Sequence, residues 1–269
     1  MMHATDLLNR LVDYIRPLES AVVAFSGGVD STLVLLLAVR ALGAGNVLAL
    51  TADSDTLPAR ERQEAVDLAR QIGVSHTLVA TEEMKNEDFS ANPPERCFHC
   101  KTELWRHGRQ LAGQRGLKHL LDGVNADDEG DFRPGIEASD AAGALHPLAA
   151  CGVGKEGVRL LARELGLPNW DKPSQACLSS RFPYGQQITP AGLRRVDQAE
   201  ELLRGMGFRA LRVRDHGAIA RIEVPLDEIA LLSGGERRAE VVDGLRELGY
   251  TYVTIDLEGF RSGSMNEAL

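Results

Sequence analysis

The chain reads as α/β: a domain built on a parallel sheet, followed by a smaller α+β domain. Three observations predict this. Short apolar runs alternate with helix-like stretches through residue 165, the pattern of strands joined by crossover helices. A turn rich in glycine, Ser26-Gly27-Gly28-Val29-Asp30-Ser31, separates the first such run from the first such helix. Beyond residue 189 the texture changes to strands of alternating character, Ala210-Leu211-Arg212-Val213-Arg214 and Arg221-Ile222-Glu223-Val224. A boundary is therefore expected near residue 186, dividing the chain into 1–186 and 187–269.

Residues 21–25 form an apolar run with β-branched members, and after the turn a helix is expected to 42, stopped by Gly43. Residues 47–50 read as a second buried strand, 59–72 as an amphipathic helix closed by Gly73, and 77–79 as a third strand. A polar loop carrying Asn92-Pro93-Pro94, Cys97 and Cys100 precedes a helix over 102–115 and a strand over 119–121. The chain then turns acidic through Asp127, Asp128, Glu129 and Asp131. A helix over 155–165 is followed by Pro168, Pro173 and Pro183, which exclude regular structure around Cys177. In the second domain, a helix over 191–206, the two alternating strands, a helix through 248 and a strand over 251–257 are expected.

In 269 residues, 43% are hydrophobic and 26% charged, the balance of a chain that folds. Thirty basic against 39 acidic residues give a net charge of −9, which argues against nucleic acid held by counterion release. The apolar run 33–39 is far shorter than the roughly 20 residues a spanning helix needs, and no signal-peptide pattern opens the sequence, so a cytoplasmic location without membrane contact is expected. Four cysteines are too few for a disulfide framework in a chain of this length.

The Ser26–Ser31 turn places consecutive backbone N–H groups around a small volume at the N-terminus of a helix, and Ser26 and Ser31 add hydroxyl donors. Phosphate oxygens fit such a nest. Asp30 repels phosphate unless a cation accompanies it, so Mg²⁺ is expected nearby. The turn lacks the Gly-Lys-Ser/Thr end of a Walker loop and the third glycine of a dinucleotide fingerprint.

Residues 26–31 resemble the pyrophosphate loop (PP-loop) of the ATP pyrophosphatases, which adenylate a substrate and release pyrophosphate. Three further stretches narrow the resemblance: Pro93-Pro94-Glu95-Arg96-Cys97-Phe98-His99-Cys100-Lys101, Pro173-Ser174-Gln175-Ala176-Cys177-Leu178-Ser179-Ser180-Arg181, and Asp256-Leu257-Glu258-Gly259-Phe260-Arg261-Ser262-Gly263-Ser264-Met265-Asn266. Together they are similar to the LarE family of sulfur transferases, which thiolate a pyridinium dicarboxylate mononucleotide on the way to the nickel-pincer nucleotide. The resemblance spans essentially the whole chain. It implies an adenine-nucleotide-hydrolase-like first domain that binds ATP through Ser26, Gly27, Gly28, Asp30 and Ser31, with adenine near Ala52 and Ser54 and the ribose near Gly123. It also implies a reactive Cys177, which in some members gives up its own sulfur and becomes dehydroalanine. Lys172 and Arg181 are near enough in sequence to stabilise a thiolate there. Arg212, Arg214 and Arg261 are implied as the substrate-phosphate set, although arginine on an outward strand face is also an ordinary solvated charge. Glu129 is carried as a further substrate candidate, with an external sulfur donor and self-association of the chain as expected partnerships.

Cys97 and Cys100 are more than a sacrificial mechanism needs. With Cys177 they supply three thiolates, enough for three irons of a [4Fe–4S] cluster whose fourth iron binds an extra sulfide. Structural zinc with His99 or Cys151 as fourth ligand, and a redox pair, are the competing readings. Cys151, in a small-residue loop, reads as structural. A tRNA-thiolating pyrophosphatase would need a polyanion surface, yet 187–269 carries 11 Arg and no Lys against 14 acidic residues. A non-catalytic ATP-binding module would have no use for the cysteines and arginines. Amidation with glutamine-derived ammonia is disfavoured because no amidotransferase domain is recognised.

Overall fold

The computed structural model describes residues 4–128, 133–173 and 176–261. The chain divides into two compact units, Met1–Glu83 with Glu95–Lys172, and Met84–Pro94 with Pro173–Leu269. The division thus falls at Lys172 rather than near 186, and a short segment from the first half of the sequence belongs to the second unit.

In the first unit, α1 (Ala4–Ile15) buries Leu7, Leu11 and Ile15 and leads into β1 (Ala21–Ala24). Then come α2 (Val29–Leu42), β2 (Val47–Asp53), α3 (Ala59–Ile72) and β3 (Ser75–Ala80). After α4 (Glu87–Ser90), which lies in the second unit, the first unit resumes with α5 (Arg96–Arg115), β4 (His119–Leu121), α6 (Pro134–Ala141), β5 (Ala144–Leu145), α7 (Pro147–Ala150) and α8 (Lys155–Glu164). The five strands form a wholly parallel sheet in the order β3-β2-β1-β4-β5. All four residues of β1 are buried: Ala21 and Val23 pack with Leu33, Leu37 and Leu161 on one face, Val22 and Ala24 with Leu48, Leu104 and Trp105 on the other. Burial on both faces is why the central strands are continuously apolar. Because β1 is central, with β2 on one side and β4 on the other, the loops after β1 and β4 flank the switch point where open α/β sheets bind ligands.

Helix α5 begins at Arg96, six residues before the helix expected from the sequence. Cys97 and Cys100 therefore stand on its first two turns and not on a loop. The residues 96–101 carry no apolar periodicity. Contact with the start of α6 holds the turn instead, since a Cβ on Gly135 would lie 3.3 Å from Lys101 Cγ and 3.8 Å from Cys97 Cβ. Helices α1, α6 and α7 and the two-residue β5 were not anticipated.

The second unit contains α4, a 3₁₀ turn over Leu178–Arg181, α9 (Pro190–Gly205), β6 (Arg212–His216), β7 (Ile219–Glu223), α10 (Ile229–Ser233), α11 (Gly235–Glu247) and β8 (Tyr252–Ile255). Strands β6 and β7 form an antiparallel hairpin through Gly217 (φ +72°), and β8 joins β7 in parallel. Leu203, Leu211, Val213, Ile222 and Leu245 fill its core. Asn92 explains the early segment: fully buried at φ +59°, its Nδ2 donates to the carbonyls of Phe182 (3.1 Å) and Pro183 (2.7 Å). Its own carbonyl accepts from Gly185 N–H at 3.0 Å, and Ile188 N–H donates to Ser90 O at 2.8 Å.

Candidate functional site

Glycine conformation and hydroxyl hydrogen bonds shape the turn after β1. Gly27 takes φ +72°, and a Cβ there would lie 3.3 Å from both Cα and Cβ of Ala65 on α3, so the position has neither conformation nor room for another residue. Ser31 Oγ, the most internal hydroxyl, donates to Gly28 O (3.1 Å), accepts from Ser26 N–H (3.3 Å) and lies 3.1 Å from Ser26 Oγ. Gly28 N–H reaches Ser26 Oγ at 3.3 Å. Ser26 is exposed and Gly28 half-buried, so the N–H and hydroxyl lie toward solvent at the positive end of α2.

After β4, Gly123 closes against this turn. A Cβ on it would sit 2.7 Å from Ser31 N and 3.0 Å from Asp30 C, both backbone atoms. Asn125 follows and donates from Nδ2 to Asp30 Oδ1 at 3.2 Å. Asp128 is buried, accepts from Asn125 N–H at 3.1 Å and meets Arg133 at 2.8 Å. Burial, and next the charge of Asp128, push the Asp30 carboxyl above its ordinary range. Asp127 caps α8 by accepting from Lys155 N–H at 2.7 Å. One strand further out, His146 lies between Asp122 (2.6 Å) and Asp140 (2.9 Å). The hydrogen bond with Asp122 leads in raising its pKa to about 9, against burial.

Ala52 and Asp53 close β2, and Ser54 follows at its carboxyl end. Asp53 is held by both Arg62 Nε (2.8 Å) and Nη2 (2.9 Å), while Ser54 Oγ lies 2.8 Å from Thr56 Oγ1, which donates to buried Glu83 at 3.3 Å. Thr56, Glu83 and Asn125 carry no local motif that would have marked them.

In the second unit, Cys177 is exposed at the entry to the 3₁₀ turn. Its carbonyl accepts from Ser180 Oγ (2.8 Å), Ser180 N–H (3.0 Å) and Arg181 Nη1 (3.1 Å). Arg181 is wholly buried, forks onto Glu200 at 2.8 and 3.1 Å, and also donates to Ala176 O at 2.7 Å. The two cations expected near the thiol have other partners. Arg181 is spent on Glu200 and on backbone carbonyls, and Lys172 lies against Glu61 (2.5 Å) and Glu64 (2.7 Å) in the first unit.

Arg212 and Arg214 are not solvated charges on an outward face: both are buried. Arg214 forks onto Glu223 at 2.9 and 2.8 Å and donates to Ser180 O at 2.7 Å, tying the strand to the cysteine turn. Arg212 donates to Leu211 O at 2.8 Å and lies over the Phe260 ring at 4.9 Å. Burial, then the charge of Arg181, push its pKa down to about 9. Glu200 serves the whole group, accepting from Arg181, Arg204 and Val213 N–H. Its pKa stays lowered because these guanidinium groups outweigh its burial. Arg261 follows Phe260 and pairs with Glu258 at 2.5 Å. The structure thus brings Arg181, Arg212, Arg214, Glu200 and Glu223 together behind Cys177. The sequence singled out two of these five as substrate-phosphate groups; the pairing of Arg181 with Glu200, 19 residues on, has no local signal.

A family model described as NAD synthase matches residues 2–99. Over 260 residues, 96% of this chain and 93% of the relative, the sequence is 40% identical to a pyridinium-3,5-bisthiocarboxylic acid mononucleotide synthase of Lactiplantibacillus plantarum. The chain belongs to the LarE family of PP-loop enzymes. An uncharacterized protein of Synechocystis is 45% identical over 262 residues, 97% of each chain. An NH(3)-dependent NAD(+) synthetase of Chlorobaculum tepidum is 30% identical over 170 residues, 59% of this chain and 58% of the relative. Membership makes the chain an enzyme with the sulfur-transferring chemistry of the family, and the expected α/β fold stands.

Glu129 lies outside the described residues, as do Ser174, Gln175 and 262–266 of the family stretches. Cys97 is exposed and Cys100 half-buried, one helical turn apart in the first unit, while Cys177 belongs to the second. Among the described residues no three His, Cys, Asp or Glu side chains gather as a metal-holding group. Cys151 is buried, with its Sγ donating to Arg10 O at 3.7 Å, and burial pushes its thiol up, as a packing cysteine requires. No described helix is long and apolar enough to cross a membrane.

Proposed function

We propose that the chain adenylates a carboxylate of a pyridinium dicarboxylate mononucleotide at the Ser26–Ser31 turn, releases pyrophosphate, and transfers sulfur to the activated carbonyl from Cys177. The observation that carries the reading is the loop itself: Gly28 N–H and Ser26 Oγ lie on its solvent side, while Ser31 Oγ, Ser26 N–H and Gly28 O are engaged behind them. Donors held in place before the pyrophosphate separates stabilise the charge that develops on it. Asp30 and Asp128 form a carboxylate pair whose mutual repulsion a divalent cation would relieve, so the residues fit Mg²⁺. Bound there, the ion would neutralise phosphate oxygens.

The Cys177 thiolate attacks the acyl adenylate and expels AMP, giving a thioester. Loss of the Cα proton then breaks the Cβ–Sγ bond, leaving a thiocarboxylate on the substrate and dehydroalanine at 177. Arg181 and Ser180 fix the backbone on which the thiol stands, while Arg212 and Arg214, with Arg261 further along the chain, are the proposed phosphate contacts. Ammonia-dependent amidation is the second reading, but the family model described as NAD synthase matches only residues 2–99, which exclude Cys177. The step needs Cys177 alone, and none is routed through an iron–sulfur cluster.

The test is a single-turnover incubation with ATP, Mg²⁺ and the mononucleotide. Pyrophosphate and AMP should form, and the chain should lose about 34 Da at Cys177, the mass of hydrogen sulfide. Orthophosphate as the only product would overturn the adenylation. About four irons per chain after anaerobic isolation, with repeated turnover and intact Cys177, would overturn the sacrificial step in favour of a cluster.

A further inference from the structure

Gly27 is left-handed and Gly28 extended (φ −75°, ψ 163°), so the peptide between them has two orientations with little steric preference. One presents Gly28 N–H beside Ser26 Oγ. The other presents the Gly27 carbonyl, which repels phosphate. The structure holds the first, and the groups that hold it are not on the loop.

Gly27 O accepts from Asn169 Nδ2 at 3.1 Å and lies 3.5 Å from Lys172 Nζ. Across a trans peptide the following N–H points the opposite way, and that N–H is the one donating to Ser26 Oγ. The second hydrogen of Asn169 goes to Thr32 Oγ1 at 3.0 Å, and Thr32 donates onward to Gly28 O at 2.7 Å. The chain has one polarity. A carbonyl only accepts, so the amide nitrogen must face Gly27, and Asn169 Oδ1 is left buried with no hydrogen-bond partner among the described residues. Thr32 is fully buried, Asn169 nearly so, and Lys172 is fixed in place by Glu61 and Glu64.

We infer that Asn169 is a positioning residue for the pyrophosphate loop: it locks the Gly27–Gly28 peptide in the anion-accepting orientation at Gly27 O, and through Thr32 it braces the next peptide at Gly28 O. The inference rests on the loop's proposed role in holding pyrophosphate. It predicts a selective defect, because only ligands with a phosphate in the loop feel the peptide's orientation.

Equilibrium binding of ATP, inorganic pyrophosphate and AMP to the full chain tests this, with Asn169→Ala, Asn169→Asp and Thr32→Val as variants. Both Asn169 variants should bind ATP and pyrophosphate about tenfold more weakly, the effect of one lost buried hydrogen bond, and AMP within about twofold of the unaltered chain. Thr32→Val should show the same selectivity at smaller size. Unchanged ATP affinity, or AMP affinity falling in parallel with ATP, would overturn the inference. If Asn169→Ala does not fold, the isosteric Asn169→Asp and Thr32→Val decide it. Failure of the underlying reading looks different, since the unaltered chain would then bind AMP as tightly as ATP and pyrophosphate not at all.

Discussion

The pyrophosphate loop of the first unit and the Cys177 turn of the second are both short, yet different forces hold them. Around the loop the work is done by glycine conformation, backbone groups, hydroxyls and the Asn169 amide. Its one carboxylate, Asp30, is pushed above its ordinary range by burial and by the charge of Asp128, so it does not stabilise the fold when ionised. Around the turn the work is done by buried charge: Arg181 and Glu200 have wholly buried side chains, and Arg214 with Glu223 is nearly so. The first arrangement stores function at low structural cost, whereas in the second, function and stability depend on the same side chains.

That contrast can be broken by mutation. Glu200→Ala should have the largest effect on stability, about 3–5 kcal/mol by urea unfolding, because it strands buried Arg181 without a counter-charge; a loss below about 1 kcal/mol would mean that the arginine cluster is not the scaffold of the turn. Gly123→Ala comes next, since the new methyl meets the Ser31 and Asp30 backbone, which cannot swing aside. It should cost about 1–3 kcal/mol and weaken ATP binding, and a neutral result in calorimetry would show that the two loops are not in contact.

The third test is pH dependence. The folded pKa of His146 is about 9, raised from 6.5. Its contribution is thus complete below pH 6.5 and is lost as pH rises through 9, by at most about 3 kcal/mol. His146→Gln should flatten the stability profile between those limits, and a mutant profile parallel to the unaltered one would disprove the assignment. The smallest effect on stability belongs to Asp30→Asn. A carboxyl whose folded pKa is raised opposes folding when ionised, so thermal unfolding should shift upward or stay unchanged at neutral pH while pyrophosphate release is abolished. A clear downward shift would put Asp30 in the same class as Glu200.

The same contrast governs what could be read from the sequence. The strand–turn–helix at 21–42 and the helix Ala59–Ile72 were legible because apolar spacing, glycine stops and the Ser26–Ser31 pattern are all local. The strands at β4, β6 and β7 were legible for the same reason. The first turns of α5 were not, because Arg96, Cys97 and Cys100 become helical through contact with Gly135, which no periodicity records. Arg212 and Arg214 were legible as neighbours on one strand but not as buried side chains. Their burial depends on Glu200 and Glu223 arriving from other elements. Asn169 and Thr32 gave no signal either, since an asparagine after a helix and a threonine within one are ordinary until the Gly27 carbonyl lies between them.

Asn92 has a consequence for how the protein is made. Its amide belongs to the carbonyl of Phe182, 90 residues further on. At about 5–20 residues per second, a ribosome delivers the partner roughly 5–18 seconds after Asn92 itself. During that interval the parallel sheet has received β1, β2 and β3 and is completed with β4 and β5, while the segment 84–94 between β3 and α5 waits without its hydrogen-bond partners. Vectorial synthesis therefore builds the first unit around an unfinished excursion, and the second unit cannot close until the cysteine turn has emerged.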